Sequence, residues 1–167
     1  PAMIPYLALY PLPNLGCAAP GVGEYSQPVY LPTNDTYFSA RVDHKISDHD
    51  SMFARYTFDD AQSTTGQEMY LFRSDNTSRQ QYLTIVETHF FSLRTINSFR
   101  ASFTRPVELV NSLYDPIPRS LFFVPTARDF GQISVPGINT FGPTFTTPDG
   151  HFMSTFQFAD DVVLQRG

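Results

Sequence analysis

The chain has 167 residues, of which 16% are charged, and its net charge at pH 7 is −5. This charge offers no basic surface of the kind that binds nucleic acid, so we expect no nucleic-acid partner. The longest nearly apolar run, Ala2–Tyr10, is interrupted by Pro5 and falls far short of the roughly 20 residues of a membrane-spanning helix.

Residues 1–35 form a lead-in that differs from the rest of the chain. A short helical turn is predicted over Pro1–Tyr10, because the first turn of a helix accommodates proline and Pro11 prevents its continuation. Tyr25–Leu31 is predicted as a further short strand, weakened by Pro28, which cannot donate a hydrogen bond to a neighbouring strand.

From residue 36 onward, apolar and polar side chains alternate over segments about twice as long as the strands of about 5–6 residues that prevail in soluble domains. Five strands are predicted: Thr36–Ile46, Ser51–Asp60, Arg79–Phe90, Ile96–Arg105 and Phe152–Leu164. Strands of about 9–11 residues are long enough to cross an outer membrane. The pattern predicts an all-β fold, an antiparallel meander of about five or six long strands that forms part of a large transmembrane β-barrel.

The predicted connections alternate between short and long. Two are tight turns, Ser47–Asp50 and Phe91–Thr95, and two are long loops, Ala61–Ser78 and Pro106–His151. A short strand is predicted within the last loop, at Ser120–Val124. Bacterial barrels keep short turns in the periplasm and long loops outside, so we expect that orientation here. The barrel domain is predicted to consist of a lead-in (1–35), two hairpins (36–105), a long external loop (106–151) and a further strand (152–167).

One face of the predicted sheet is apolar and should meet lipid. Its residues are Phe38, Ala40, Val42, Met52, Ala54, Tyr56, Phe58, Phe99, Ala101 and Phe103. The third strand is ambiguous, because one set of alternate side chains includes Gln81 and Glu87 and the other includes Tyr82 and Val86. We expect the second set to face lipid: Tyr82, Thr84, Val86, Thr88 and Phe90.

The opposite face carries charged side chains that would line the lumen of a barrel. The candidate lumen-facing residues are Arg41, Asp43, Arg55, Asp59, Glu87 and Arg100. They would contact a plug or a solute. The alternative is that the cations and carboxylates pair across neighbouring strands, each pair stabilising the sheet by about 0.2–1 kcal/mol.

The long loop is the candidate for ligand contact. It combines aromatic side chains with a backbone that proline restricts, which lowers the entropy lost when a loop orders on a ligand. The candidate contact residues are Tyr114, Phe122, Phe123, Phe130, Phe141 and Phe145. The alternative is that these rings pack the loop on itself or lie at the membrane interface.

Other chemistry has little support in the sequence. Asp43, His44, Asp48, His49 and Asp50 are residue types that ligate divalent cations, but Asp is also favoured in turns, where its side chain bonds to backbone groups. We interpret them as turn residues and predict no metal site. Because no Gly-x-Ser-x-Gly elbow, His-Glu-x-x-His motif or phosphate-binding loop occurs, we also expect no catalytic residue, no cofactor and no enzymatic activity.

Several segments resemble one known family. The run Asn34–Tyr56 resembles a hairpin in the barrel domain of TonB-dependent receptors of the Oar-like type, and Leu9–Asn14 resembles the segment before it. Glu87–Phe91, Ile96–Arg100 and Phe156–Asp161 are also similar to that family. The resemblance spans nearly the whole chain, and its motifs are moderately specific.

The resemblance implies an outer-membrane receptor for uptake of a large or scarce solute, such as an oligosaccharide, a peptide or a metal chelate. Its barrel would have about 22 strands around a plugged lumen. Its partners would be outer-membrane lipid and an energy-coupling inner-membrane complex. The chain lacks a plug, an energy-coupling box and a closing strand, so we expect an internal fragment. The alternative is a soluble β-sandwich binding module of a secreted or cell-surface protein.

Overall fold

A computed structural model, which describes residues 3–166, consists mostly of β-strands. The described strands are β1 (Cys17–Ala19), β2 (Val22–Gly23), β3 (Thr33–Lys45), β4 (Asp50–Gly66), β5 (Phe72–Ser92), β6 (Thr95–Tyr114), β7 (Asp149–Phe152) and β8 (Thr155–Leu164). The short helix α1 (Ile4–Leu7) precedes them, within the helical turn that the sequence predicts. No helix in the described part of the chain is long and apolar enough to span a membrane.

The strands β3 to β6 pair in sequence order, and β7 and β8 both pair with β6. The β3–β4 ladder is antiparallel and runs without a slip from Thr33 opposite Ser63 to Lys45 opposite Ser51. The predicted all-β antiparallel meander is therefore confirmed. Because β3 to β8 form one sheet, and not two sheets packed face to face, the alternative of a soluble β-sandwich is wrong.

The strands extend further than predicted. β4 continues to Gly66 and β5 begins at Phe72, so most of the predicted loop Ala61–Ser78 is strand. Polar side chains link the strands there: the Gln62 amide nitrogen donates to a carboxylate oxygen of Asp75 at 3.0 Å. This region has no apolar alternation, and the predicted boundary was wrong because polar cross-strand bonding and backbone pairing continue the sheet without it.

β6 also passes its predicted end, at Arg105, and continues to Tyr114. Pro106 is tolerated inside β6 because it lies between two ladders: β8 pairs as far as Thr104, and β7 begins at Val107. This change of partner also divides the predicted strand Phe152–Leu164 into β7 and β8. The long loop is correspondingly confined to residues 115–148.

Two short predicted strands are wrong. Tyr25–Leu31 has no regular secondary structure, in keeping with the missing donor at Pro28. Ser120–Val124 is not a strand, because the chain makes a 3₁₀ turn at Arg119–Leu121. The amide nitrogens of Leu121 and Phe122 close that turn by donating to the carbonyl oxygens of Pro118 and Arg119.

The chain forms two compact units. We call Thr33–Ser63, Asp75–Asn111 and Pro148–Gly167 the sheet unit, and Pro1–Pro32, Thr64–Ser74 and Ser112–Thr147 the loop unit. Among the described residues, every buried hydrophobic belongs to the loop unit: Met69, Leu71, Phe72, Phe122, Phe130 and Phe141. No described residue of the sheet unit is buried. The sheet unit thus leaves its apolar side chains uncovered, as we expect for side chains whose surroundings are lipid.

Candidate functional site

The register of β3 and β4 places the predicted apolar residues of these strands on one face. Three directly opposite pairs define it: Phe38–Phe58, Ala40–Tyr56 and Val42–Ala54. The rings of Phe38 and Phe58 stack with their centroids 5.4 Å apart. We call this the aromatic face. Val42 is 67% exposed on it, so nothing in the sheet unit covers these side chains.

The aromatic face ends at polar contacts in both directions along the strands. At one end, Asp60 accepts a hydrogen bond from Arg79 of β5 at 2.9 Å. At the other end, Asp50 pairs with His89 of β5. The stretch of β4 between the two carboxylates is residues 51–59, nine residues. This matches the roughly 9–11 residues with which a tilted strand crosses an outer membrane.

One polar contact lies inside this band. The Tyr56 hydroxyl donates to the side-chain oxygen of Gln81 at 2.9 Å. Each group thereby has a partner within the protein, which matters where lipid offers none. The contact also shows that Gln81 of β5 shares the aromatic face with Tyr56.

β6 and β8 contribute to the same face. A groove of about 620 Å³ is lined by Asp60 and Arg79 together with Arg105 of β6, so odd-numbered residues of β6 share the aromatic face. Phe103, two residues before Arg105, contacts Phe156 of β8 with ring centroids 4.9 Å apart. The predicted residues Phe99, Ala101 and Phe103 therefore lie on the aromatic face.

The opposite face, which we call the charged face, holds most of the candidate lumen residues. The Arg41 guanidinium bonds both carboxylate oxygens of Asp43, and it lies 4.0 Å from the ring centroid of Phe53. Arg100 pairs with Asp161 of β8. Arg55 faces Arg41 directly across the ladder, and Asp59 has the same orientation on β4. The Arg100 pair is cross-strand, as the pairing alternative expects, whereas Arg41 pairs along its own strand.

The prediction for β5 was wrong. Val86 and Thr88 line a groove with Arg41 and Phe53, so the set expected to meet lipid shares the charged face. Glu87 accordingly lies on the aromatic face and not with the candidate lumen residues. Both faces of this strand mix polar and apolar side chains, so its sidedness is fixed by pairing with its neighbours β4 and β6 and not by its own sequence.

The core of the loop unit contains three of the six aromatic residues proposed for ligand contact. Phe122, Phe130 and Phe141 are 5%, 0% and 3% exposed. Tyr114 and Phe123 are half-buried against this core, and Phe145 is 83% exposed. The first three therefore pack the loop on itself, as the alternative predicts, and Phe145 alone of the six is openly accessible.

Two glycines allow the chain to close around this core. Ile133 and Phe141 exchange backbone hydrogen bonds at 2.8 and 2.9 Å, which folds the loop back on itself. A Cβ at Gly142 would lie 2.0 Å from the carbonyl oxygen of Gly131, and both glycines have positive φ. A side chain at Gly142 would therefore separate the two chain segments and strain the backbone.

A cleft of about 740 Å³ opens in the loop unit, and the sequence analysis did not predict it. Three segments that are distant in sequence line it, contributing Tyr10, Glu24, Tyr25, Glu68 and Tyr70 among others. Its volume falls in the range of about 300–1,000 Å³ that is usual for small-molecule sites. Among its described lining residues there is no Lys, Arg or His. Two tyrosines of the lead-in, Tyr10 and Tyr25, were the sequence feature that could have indicated the cleft. No local sequence pattern indicates that they lie near Tyr70.

Hydrogen bonds hold Glu68 in place at the cleft. Its carboxylate accepts from the backbone N–H of Thr140 at 2.7 Å, and its carbonyl oxygen accepts from the Asn139 amide at 3.0 Å. The bonds from Thr140 lower the pKa of Glu68, because they stabilise the ionised carboxylate. Glu68 thus stays negatively charged at neutral pH and connects two of the segments that line the cleft.

One group of side chains in the described residues brings metal-ligating atoms together: Asp50, Glu87 and His89. Of the five predicted turn residues, Asp50 alone belongs to this group. Ser47 donates to Asp50 at 2.7 Å and Lys45 donates to Asp48 at 2.5 Å, which are the contacts of a turn. Glu87 and His89 come from β5, and the sequence separation of this strand from the turn concealed the group.

A family model described as an outer membrane beta barrel domain matches residues 1–167. The chain belongs to this family. Comparison with curated proteins gives no match. Comparison with solved structures also gives none.

Membership in the outer-membrane β-barrel family places the protein in the outer membrane. A sheet in such a barrel has lipid on one face and the lumen on the other. The aromatic face has the length of a membrane crossing and polar contacts at both of its ends. The charged face has arginines and carboxylates along several strands, in keeping with the polar interior of these barrels.

Proposed function

We propose that this outer-membrane barrel domain is part of a TonB-dependent receptor that takes up a large or scarce solute. The candidate solutes are an oligosaccharide, a peptide or a metal chelate. The observation that carries the proposal is the cleft of the loop unit, because its size and mixed aromatic and polar lining suit a ligand of this kind. The resemblance of the β3–β4 hairpin to Oar-like receptors supports the same function.

Recognition would take place at the cleft. The rings of Tyr25 and Tyr70, with centroids 5.5 Å apart, would pack against flat apolar surfaces of the solute. Glu24, Gln27 and Glu68 would accept or exchange hydrogen bonds with its polar groups. The residues bind without making or breaking covalent bonds, and we propose no catalytic residue, no cofactor and no nucleic-acid partner.

Passage would follow along the charged face. We propose that this face lines the lumen and that the aromatic face contacts outer-membrane lipid. The short turns at residues 46–49 and 93–94 would lie in the periplasm, and residues 67–71 and 115–148 outside. The inner-membrane energy-coupling complex would act through plug and coupling elements of the receptor.

The experiment measures uptake of labelled solutes by whole cells that express the intact receptor. A malto-oligosaccharide, a pentapeptide and a ferric chelate are tested in parallel, each with and without a protonophore. We expect receptor-dependent uptake of one class, abolished by the protonophore, because transport against a gradient needs the energy of the inner membrane. Equal uptake in cells with and without the receptor, for all three classes, would contradict the proposal.

A matched pair of tyrosines tests the cleft. Tyr25→Ala removes a ring from the cleft lining, whereas Tyr30→Ala removes an 85% exposed ring of the same lead-in that does not line it. We expect Tyr25→Ala to weaken solute binding by roughly tenfold, the order expected for the loss of one aromatic contact. Tyr30→Ala should leave binding unchanged. Equal effects of the two substitutions would show that the cleft is not the binding site.

A further inference from the structure

Two acidic side chains and one histidine meet where β4 begins. Glu87 and His89 are two residues apart on β5, so they point to the same face of the sheet. Asp50 is the first residue of β4, the neighbouring strand. The turn before it is tied to β5, because the Phe90 N–H donates to the His49 carbonyl oxygen at 2.8 Å.

The ligating atoms of these three residues are close together. One oxygen of Asp50, one oxygen of Glu87 and a ring nitrogen of His89 all lie within 4.8 Å of one another. All three residues are half-buried. Donor atoms that bind one tetrahedral ion at about 2.0–2.2 Å lie roughly 3.4 Å apart, so small side-chain movements would let all three bind one ion, which would replace the direct contact between Asp50 and His89.

The surroundings orient two of the donors. The Ser47 hydroxyl donates to Oδ2 of Asp50 at 2.7 Å, which leaves Oδ1 directed at Nδ1 of His89. The ring of Phe91 packs edge-on against His89 with centroids 4.3 Å apart. Hydrogen-bonded carboxylates and packed imidazoles are the usual supports of metal ligands.

We propose that Asp50, Glu87 and His89 bind one divalent first-row transition-metal ion, with Zn²⁺ as the best fit, which ties the start of β4 to β5. One imidazole and two carboxylates suit Zn²⁺ better than Ca²⁺, which takes six to eight oxygen ligands, or Mg²⁺, which retains its waters. Three protein ligands leave one position of a tetrahedral ion for water. This site goes beyond the proposed uptake function and does not depend on it.

The chain contains a matched control for this proposal. His151 also pairs with a carboxylate, at 3.1 Å from Asp149, but both side chains are more exposed. No third ligating residue accompanies that pair within residues 3–166. Both places therefore have a histidine–aspartate pair, and Glu87 provides a third ligand at only one of the two.

The experiment titrates ZnCl₂ into the intact, tag-free, chelator-treated protein in detergent and follows the heat of binding. We expect one saturable site that Glu87→Gln and His89→Gln each weaken at least about tenfold, while His151→Gln leaves it unchanged. X-ray absorption on the zinc-loaded protein should show nitrogen and oxygen ligands at about 2.0–2.2 Å, with imidazole scattering that His89→Gln removes.

Zinc affinity that is the same in all four proteins would overturn the proposal, as would the absence of saturable binding. Electrophoresis in detergent reports whether each variant is folded. A folded barrel migrates more slowly after heating, which unfolds it, than before heating. If His89→Gln does not fold, Glu87→Gln still decides, because glutamine keeps the size of glutamate and removes only the charged donor. Tighter binding of Ca²⁺ than of Zn²⁺ would likewise overturn the assignment.

Discussion

Placing a charge on the aromatic face should show which side of the sheet meets lipid. Ala54 lies four residues from Asp50 and six from Asp60, close to the middle of the band between them. An arginine at the midplane of a barrel's lipid face costs about 2–4 kcal/mol, and near the interface about 0–1 kcal/mol. We therefore expect Ala54→Arg to lower the free energy of unfolding by about 3 kcal/mol and Met52→Arg, nearer the band's end, by less.

The matched control is Thr57→Arg on the charged face of the same strand. The hydroxyls of Thr57 and Ser39 are 3.0 Å apart. The substitution therefore removes one exposed hydrogen bond, which contributes about 0.5–1.5 kcal/mol to the free energy of unfolding. The assay is reversible unfolding by guanidinium of the intact protein in lipid vesicles. If Thr57→Arg costs as much as Ala54→Arg, or more, the assignment of the aromatic face to lipid is incorrect.

Three further predictions concern individual contacts. Tyr56→Phe should lower the free energy of unfolding in vesicles by about 1–3 kcal/mol, because Gln81 loses its partner, and adding Gln81→Leu should restore most of that stability. An undiminished loss in the double variant would show that it does not come from an unpaired Gln81. Phe130→Ala should cost the loop unit about 3–5 kcal/mol, seen as faster proteolysis of its loop, and unchanged proteolysis would contradict its place in the core. Hydrogen bonds from Thr140 lower the pKa of Glu68, so the ionised carboxylate stabilises the folded loop unit. This stabilisation is fully present above the ordinary pKa of a glutamate and is lost as the pH falls through the lowered pKa of Glu68. Protease resistance of the loop unit should decline in that acidic range, and Glu68→Gln should abolish the pH dependence; a decline of equal size in the variant would contradict the role of Glu68.

The alternation of side chains was sufficient to predict the long strands and their order. Phe38, Ala40 and Val42 share a face in the structure because a pleated strand imposes a period of two on any sequence. The same rule failed at β5, where both faces carry a mixture of polar and apolar residues. There the Tyr56–Gln81 bond and the Asp60–Arg79 pair determine the side, and neither can be inferred from one strand alone.

The cleft and the metal-ligating group depended on contacts between distant segments. Tyr25 and Tyr70 meet across 45 positions of sequence, and Asp50 and His89 across 39. No short motif joins such residues, so only the folded chain brings them together. Composition did indicate that the aromatic residues of the long loop are important, but burial shows that most of them stabilise the loop unit.

The most direct test of the account measures which side chains of β3 contact lipid. Single cysteines are placed at each position from 36 to 44 in the intact protein, with Cys17, which is exposed, replaced by alanine. Each cysteine carries a nitroxide spin label in vesicles. Collision rates are measured with oxygen, which concentrates in lipid, and with a water-soluble nickel complex. The account predicts a period of two, with labels at Phe38, Ala40 and Val42 colliding with oxygen and those at Ser39 and Arg41 colliding with nickel. The opposite phase, or no alternation, would contradict it.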